Sequence, residues 1–277
     1  MAGRAAATGV AGRGGQRLEA LLMDSEFPPA RTAIVTGAAK RIGAAVADAL
    51  LADGWHVLVH CHTSRAEAES RFGAHPAVRI VTADLADPHA AAAIILALKG
   101  LPPPALLVNN ASRFAFDSAN GFSADDFDTH LAINLRAPAL LSQAFAAAVP
   151  AGARGLIVNL QDAKLAAPNP DFFTYTLSKI GLAGLTELTA RAFAGRGIRV
   201  NAIAPSVTLV SGPQSRENFD AVHRLNALGR GVTAEQIVAA LRFVIASPTM
   251  TGQTITLDGG QRFLGLPRDV QFLETPR

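Results

Sequence analysis

The motif YTLSK places Tyr175 and Lys179 four residues apart, a spacing that puts both side chains on one face of a helix. Tyr175 is the only tyrosine in the chain. A lysine ammonium beside a phenol favours the ionised form, so the pair predicts a lowered tyrosine pKa and a group that can trade protons near neutral pH. Thirteen positions before it stands Asp162, in NLQDAK, and Asn134 lies in AINLRAP. Each has a plainer reading when taken singly. Exposed Tyr/Lys helical pairs are common, and an aspartate suits a turn.

A second group of residues points to a nucleotide. In TGAAKRIG, Gly37 and Gly43 bracket a turn that leads into a helix at Ile42, where unpaired N–H groups and the helix dipole favour phosphate. Lys40 and Arg41 add charge-assisted contacts, with Arg41 standing where a middle glycine is expected. Glycines alone would also serve a purely geometric strand-to-helix turn. The following strand ends in HVLVHCHTSRAE, with no acid between Val57 and Arg65. A site for NAD places Asp or Glu there for the ribose 2′-OH, whereas NADP needs neutral or positive groups. His60, His62, Thr63, Ser64 and Arg65 all suit a 2′-phosphate, and spacing does not choose among them. NADP(H) is the expected cofactor. Farther on, Asp84 and Leu85 in ADL follow a third strand, and Asn110 and Ala111 in NNAS follow a fourth.

The elements that must position these groups alternate along the chain. Strands are expected at Ala33–Thr36, His56–His60, Val78–Thr82, Ala105–Asn109, Gly155–Leu160, Arg199–Ile203 and Thr254–Leu257. Helical periodicity fills Ile42–Ala52, Pro88–Leu98, Phe127–Ala148, Phe172–Ala194 and Ala234–Ala246. Apolar strands that take turns with helices predict an α/β fold, a Rossmann-type doubly wound parallel sheet with helices on both faces. One domain is expected over 28–277. Residues 1–27, rich in Ala, Gly and Arg, read as a disordered extension or an upstream start ahead of Met23. Ser206–Val232 has no clear period and reads as a mobile cover.

Composition narrows the function classes. The 277 residues carry a net charge of +3, but the arginines are scattered and no aromatic residues interleave with them, so nucleic acid is not an expected partner. No apolar run reaches the roughly 18 residues of a membrane span. A single cysteine, Cys61, excludes an internal disulfide and fits a reducing, cytoplasmic setting. No metal site is expected.

Over about residues 31–264 the chain resembles the short-chain dehydrogenase/reductase family. TGAAKRIG, ADL, NNAS, Asn134 in AINLRAP, YTLSK, RVNAIAPS and TLDGG fall in the family's order. The resemblance implies nicotinamide-dependent reduction, with Tyr175 as acid/base, Lys179 holding the nicotinamide ribose and Asn134 keeping a water relay behind Lys179. Pro205, Ser206 and Thr208 match the stretch beside the nicotinamide and pyrophosphate; the family's usual threonine falls at Val210. Two departures are informative: most members carry serine at Asp162 and glycine at Arg41. With NNASRF, both resemble the pteridine reductase branch and the related dihydromonapterin and dihydrofolate reductases. That branch implies a pterin between the nicotinamide and Phe114, hydrogen-bonded by Ser112 and Arg41, with Phe116 as second choice for the aromatic wall. Reducing a ring C=N requires a proton on nitrogen, which a carboxyl hydrogen-bonded to Tyr175 can supply. A general carbonyl or 3-oxoacyl reductase and a non-catalytic NADP(H)-binding protein are the competing expectations. The resemblance also implies a homotetramer.

Overall fold

The structure, a computed structural model, describes residues 26–210 and 214–273. Seven strands form one sheet: β1 (Thr32–Val35), β2 (His56–Cys61), β3 (Val78–Thr82), β4 (Pro104–Asn109), β5 (Gly155–Leu160), β6 (Ile198–Pro205) and β7 (Thr254–Leu257). Their order is β3-β2-β1-β4-β5-β6-β7, and every pairing is parallel. Parallel neighbours need crossovers, and helices supply most of them. These are α1 (Arg41–Ala52), α2 (Arg65–Phe72), α3 (Ala90–Leu96), α4 (Ala124–Leu131), α5 (Ala137–Ala148), α6 (Phe173–Phe193), α7 (Arg216–Val222) and α8 (Ala234–Ile245).

Alternation along the buried strands sorts the core into two layers. Ala33, Val35, Val57, Val59, Leu106 and Val108 pack under α1, α2 and α8. Ile34, Leu58, Leu107 and Ile157 pack under α3, α5 and α6. Strand order reverses at β1, whose neighbours are β2 and β4, so a crevice opens above the carboxyl ends of β1 and β4. The predicted doubly wound α/β fold is the observed one. No helix among the described residues is long and apolar enough to cross a membrane.

Three differences have physical causes. The expected single helix Phe127–Ala148 is α4 and α5 joined by a π-helical turn, Ala132–Arg136, because one inserted residue widens the ladder without breaking the apolar stripe. Helix α2 was unexpected: RAEAESRF buries only Ala68 and Phe72, too few to show a period. The expected cover Ser206–Val232 contains α7, which Ser215 caps by accepting from the Asn218 N–H; residues 211–213 lie outside the described residues.

The expected extension 1–27 also needs correction at its end. Phe27 is buried against Trp55, with ring centroids 5.6 Å apart, and Glu26 pairs with the buried Arg199 of β6. The folded domain therefore begins before residue 28. The rest of that expectation, residues 1–25, lies outside the described residues.

Candidate active site

The glycine turn between β1 and α1 is held by three hydrogen bonds from Asn110. Asn110 donates through Nδ2 to the carbonyls of Thr36 (2.8 Å) and Gly37 (3.2 Å), and its own N–H donates to Thr36 Oγ1. A Cβ on Gly43 would meet the Gly37 oxygen at 2.3 Å and Asn110 Nδ2 at 2.5 Å, so only glycine fits there. Arg41 has φ of +59°, a left-handed backbone costing a side-chain-bearing residue roughly 1–2 kcal/mol. The chain thus keeps the conformation a glycine would adopt while placing a guanidinium there, and Arg41 Nη1 donates to the Val210 carbonyl at 2.6 Å. Lys40 precedes α1 without capping it, and no acid occupies the first turn. The N–H groups at this helix end therefore face a crevice that suits an anion.

The turn opens into a cavity of about 550 Å³. Gly37, Lys40, Arg41, Ile42, Asn110, Ala111, Ser112, Phe114, Asp162, Tyr175, Lys179, Pro205, Ser206 and Thr208 all line it. Sequence positions as distant as 37 and 208 thus converge on one space. Phe114 stands T-shaped to Tyr175 at 4.8 Å and stacks on Phe172 at 4.2 Å, whereas the exposed Phe116 packs on Phe172 and Phe272 outside the lining.

Within the cavity, Tyr175 Oη donates to Asp162 Oδ2 at 2.7 Å. The other carboxylate oxygen accepts the Lys164 N–H at 2.8 Å, so Asp162 serves both as a turn residue and as the tyrosine's partner. Lys179 Nζ donates to the Leu160 carbonyl at 2.8 Å and lies 5.6 Å from the centre of the Tyr175 ring. Burial pushes Lys179 down to about 8, opposed by Asp162. The lowered tyrosine pKa expected from YTLSK is reversed. Burial, then the Asp162 charge and hydrogen bond, raise the Tyr175 phenol well above its ordinary value, so it stays protonated as a donor.

Asn134 lies behind this set, buried in the π-turn. It accepts from the Arg113 N–H (2.8 Å) and from Ser112 Oγ (3.2 Å), and donates to the Arg113 carbonyl and to Ser178 Oγ (both 2.9 Å). Its side chain ties the loop after β4 to α6.

The loop after β2 is less uniform than its sequence implies. His60 is buried, accepting the Gly37 N–H through Nδ1 (3.2 Å), which leaves Nε2 to donate to the Ala83 carbonyl (3.0 Å). Burial lowers its pKa, so this histidine is a neutral strut and cannot offer charge to a phosphate. That corrects its place among the phosphate candidates. Ser64 is also buried, at the start of α2. His62 and Thr63 are exposed, His62 lying 3.9 Å from Asp84, and Arg65 reaches Glu69 and Thr82. Asp84 turns back to accept the Ala86 N–H, Leu85 is buried in the core, and neither lines the cavity that holds Tyr175.

Sequence reasoning missed the far wall. Lys164, Arg268, Asp269 and Val270 line the cavity, and Asp171 anchors them from behind. The available signals were Lys164 two residues after Asp162, and the charged pair Arg268–Asp269 in a mostly apolar C-terminal stretch.

Residues 37–262 match the family model adh_short_C2, described as Enoyl-(Acyl carrier protein) reductase. D-threitol dehydrogenase of Mycolicibacterium smegmatis is 33% identical over 245 residues, 83% of this chain and 92% of the relative. Pteridine reductase 1 of Leishmania tarentolae is 31% identical over 282 residues, 84% of this chain and 96% of the relative. Among solved structures, FolM alternative dihydrofolate reductase 1 from Brucella canis, complexed with NADP, superposes with a TM-score of 0.81 at 35% identity, covering 87% of this chain and 97% of that one. With the parallel sheet, the glycine turn and the Tyr175/Lys179 pair in place, the chain belongs to the short-chain dehydrogenase/reductase family.

Proposed function

We propose that this protein is an NADPH-dependent reductase of a pterin ring, taking a dihydropterin or dihydrofolate to the tetrahydro form. The observation that carries the reading is the 2.7 Å hydrogen bond from Tyr175 to Asp162 beside Phe114. Adding hydride to the carbon of a C=N bond leaves a nitrogen that needs a proton, and a phenol backed by a carboxyl group can pass one along. A ketone reductase gains more from a neutral hydroxyl polarising the carbonyl oxygen. The Lys164 N–H fixes the second oxygen of Asp162 and keeps the carboxyl turned toward Tyr175.

The residues present fit a dinucleotide. The uncapped end of α1, the glycines that hold the turn close, and Lys40 and Arg41 suit a pyrophosphate. The acid-free loop after β2, with His62, Thr63 and Arg65 in reach of solvent, favours a 2′-phosphate over a bare ribose. When bound, the nicotinamide supplies the hydride. Lys179 holds the ribose and Tyr175 donates the proton. Ser112 and Arg41 hydrogen-bond the ring, and Phe114 offers a flat face to it. We extend the proposal to a homotetramer, supported by exposed Leu177, Ile180 and Leu188 on α6.

Reduction of a sugar or polyol carbonyl is the second reading, favoured by the likeness to D-threitol dehydrogenase. A non-catalytic NADP(H)-binding protein would not need the Asp162–Tyr175–Lys179 set. The test is NADPH and NADH oxidation with dihydrobiopterin, dihydromonapterin, dihydrofolate, a ketose and a 3-oxoacyl thioester, with Tyr175→Phe as control. The proposal expects pterin-dependent turnover that prefers NADPH and falls at least about a hundredfold in the control. Turnover confined to the ketose or the thioester overturns the substrate, and tight NADPH binding with no turnover overturns the enzyme.

A further inference from the structure

The chemistry proposed above leaves a second charged cluster on the same cavity unused. Lys164 is the residue after next from Asp162, and its ammonium feels the charge of that carboxyl group while pairing with Asp269. Its side chain is only 10% exposed and lies 3.5 Å from Asp269, itself 16% exposed. Lys164 Nζ also donates to the Asp171 carbonyl and sits 5.4 Å from the centre of the Phe172 ring. Asp269 belongs to the C-terminal segment after the last strand, which lines the cavity with Leu266, Arg268, Asp269, Val270 and Gln271. That segment is latched a second time, where Arg268 Nε donates to both Asp171 oxygens (3.0 and 2.8 Å) and the Asp269 N–H adds a third bond (2.8 Å). Val270 is buried, and Phe272 stacks on Phe172 at 5.8 Å.

Burying a lysine this far costs free energy that an exposed surface pair would not require. Arg268 and Asp171 already hold the segment down, so a latch alone needs no second ion pair. The distinguishing feature is that Lys164 serves two masters at once. Its backbone N–H orients Asp162, and its ammonium neutralises Asp269.

We propose that Lys164 is a positioning residue that couples the C-terminal segment to Asp162 and so sets the substrate side of the cavity for a flat ring. This rests on the pterin reading for its substrate, not for its geometry. Without the ammonium, Asp269 loses its counter-charge and keeps the Gln271 N–H (3.1 Å) as partner, while lining the same cavity as Asp162. It then either swings to solvent, carrying the segment with it, or repels Asp162 from Tyr175. Both routes slow the chemical step. Neither touches the glycine turn, so cofactor affinity is spared.

The experiment compares wild type, Lys164→Met, Asp269→Asn and the double variant in the full chain, with Lys164→Arg as the conservative control. Four quantities are read: kcat and KM for dihydrobiopterin with NADPH, the NADPH dissociation constant from nucleotide fluorescence, and hydrogen exchange of the peptide 266–272. The proposal expects each single variant to lose about tenfold in kcat and the double variant to be no worse than either, since both remove one interaction. Lys164→Arg recovers most of the loss, NADPH affinity stays within about twofold, and exchange at 266–272 rises in Lys164→Met. Unchanged kcat, losses that multiply, or unchanged exchange overturns it. If wild type turns over no dihydropterin, the pterin reading fails by itself, and the exchange measurement alone decides the coupling.

Discussion

Replacing Lys179 with methionine should abolish reduction and yet stabilise the protein at neutral pH. In the folded chain burial holds the lysine at about 8, against an ordinary value of 10.5. That difference of about 2.5 units corresponds to roughly 3 kcal/mol at 1.36 kcal/mol per unit. Below pH 8 the lysine carries its proton both folded and unfolded, and the full destabilisation is present. Between pH 8 and 10.5 the folded chain has released its proton and the unfolded chain has not, so wild-type stability rises with pH. Methionine fills the same volume without charge, but it strands the Leu160 carbonyl that Lys179 Nζ reaches at 2.8 Å, a loss of about 1 kcal/mol. The variant should therefore be about 2 kcal/mol more stable at pH 7, and the advantage should vanish near pH 10. Urea denaturation of both proteins from pH 7 to 10 measures it. A less stable variant at pH 7, or a difference flat across that range, refutes the reasoning.

Two other substitutions probe the frame around the site. Gly43→Ala places a methyl 2.3 Å from the Gly37 carbonyl oxygen, so at least about 3 kcal/mol of stability and measurable NADPH binding should be lost together; thermal melts with and without NADPH read both. Phe27→Ala removes a buried ring from against Trp55 and should cost about 3 kcal/mol by urea denaturation while leaving NADPH affinity unchanged; a cost below about 0.5 kcal/mol would return residue 27 to the extension.

The residues of the candidate site were legible because they fall in short motifs. TGAAKRIG, NNAS and YTLSK each keep their candidate residues within one turn or one helical face, and the parallel sheet brings them to one cavity by rule. What stayed hidden depends on contacts between distant segments. His60 looks like a candidate phosphate ligand in a row of polar residues; only the fold shows both its ring nitrogens already bound to Gly37 and Ala83. The direction of the Tyr175 shift was misread because helical spacing displays Lys179 but not the burial and the Asp162 oxygen that outweigh it. The π-turn at Asn134 leaves the apolar stripe intact and so leaves no trace in periodicity. Lys164 and Asp269 share no pattern, since their pairing exists only once the C-terminal segment has packed beside the cavity.

The pairing of Glu26 with Arg199 joins positions 173 apart in the chain. During synthesis the N-terminal edge of the domain must wait for β6 before this bond can form, just as β1 waits for β4 to complete its second side. A parallel sheet whose first strand sits inside it, between β2 and β4, concentrates its pairing between remote segments, which slows folding and lengthens the time that open strand edges are exposed. The Glu26–Arg199 bond then acts as a late seal. A chain that ended before β6 would leave Glu26 without its partner, so partial products of translation should be recognisable to proteases by a loose N-terminal edge.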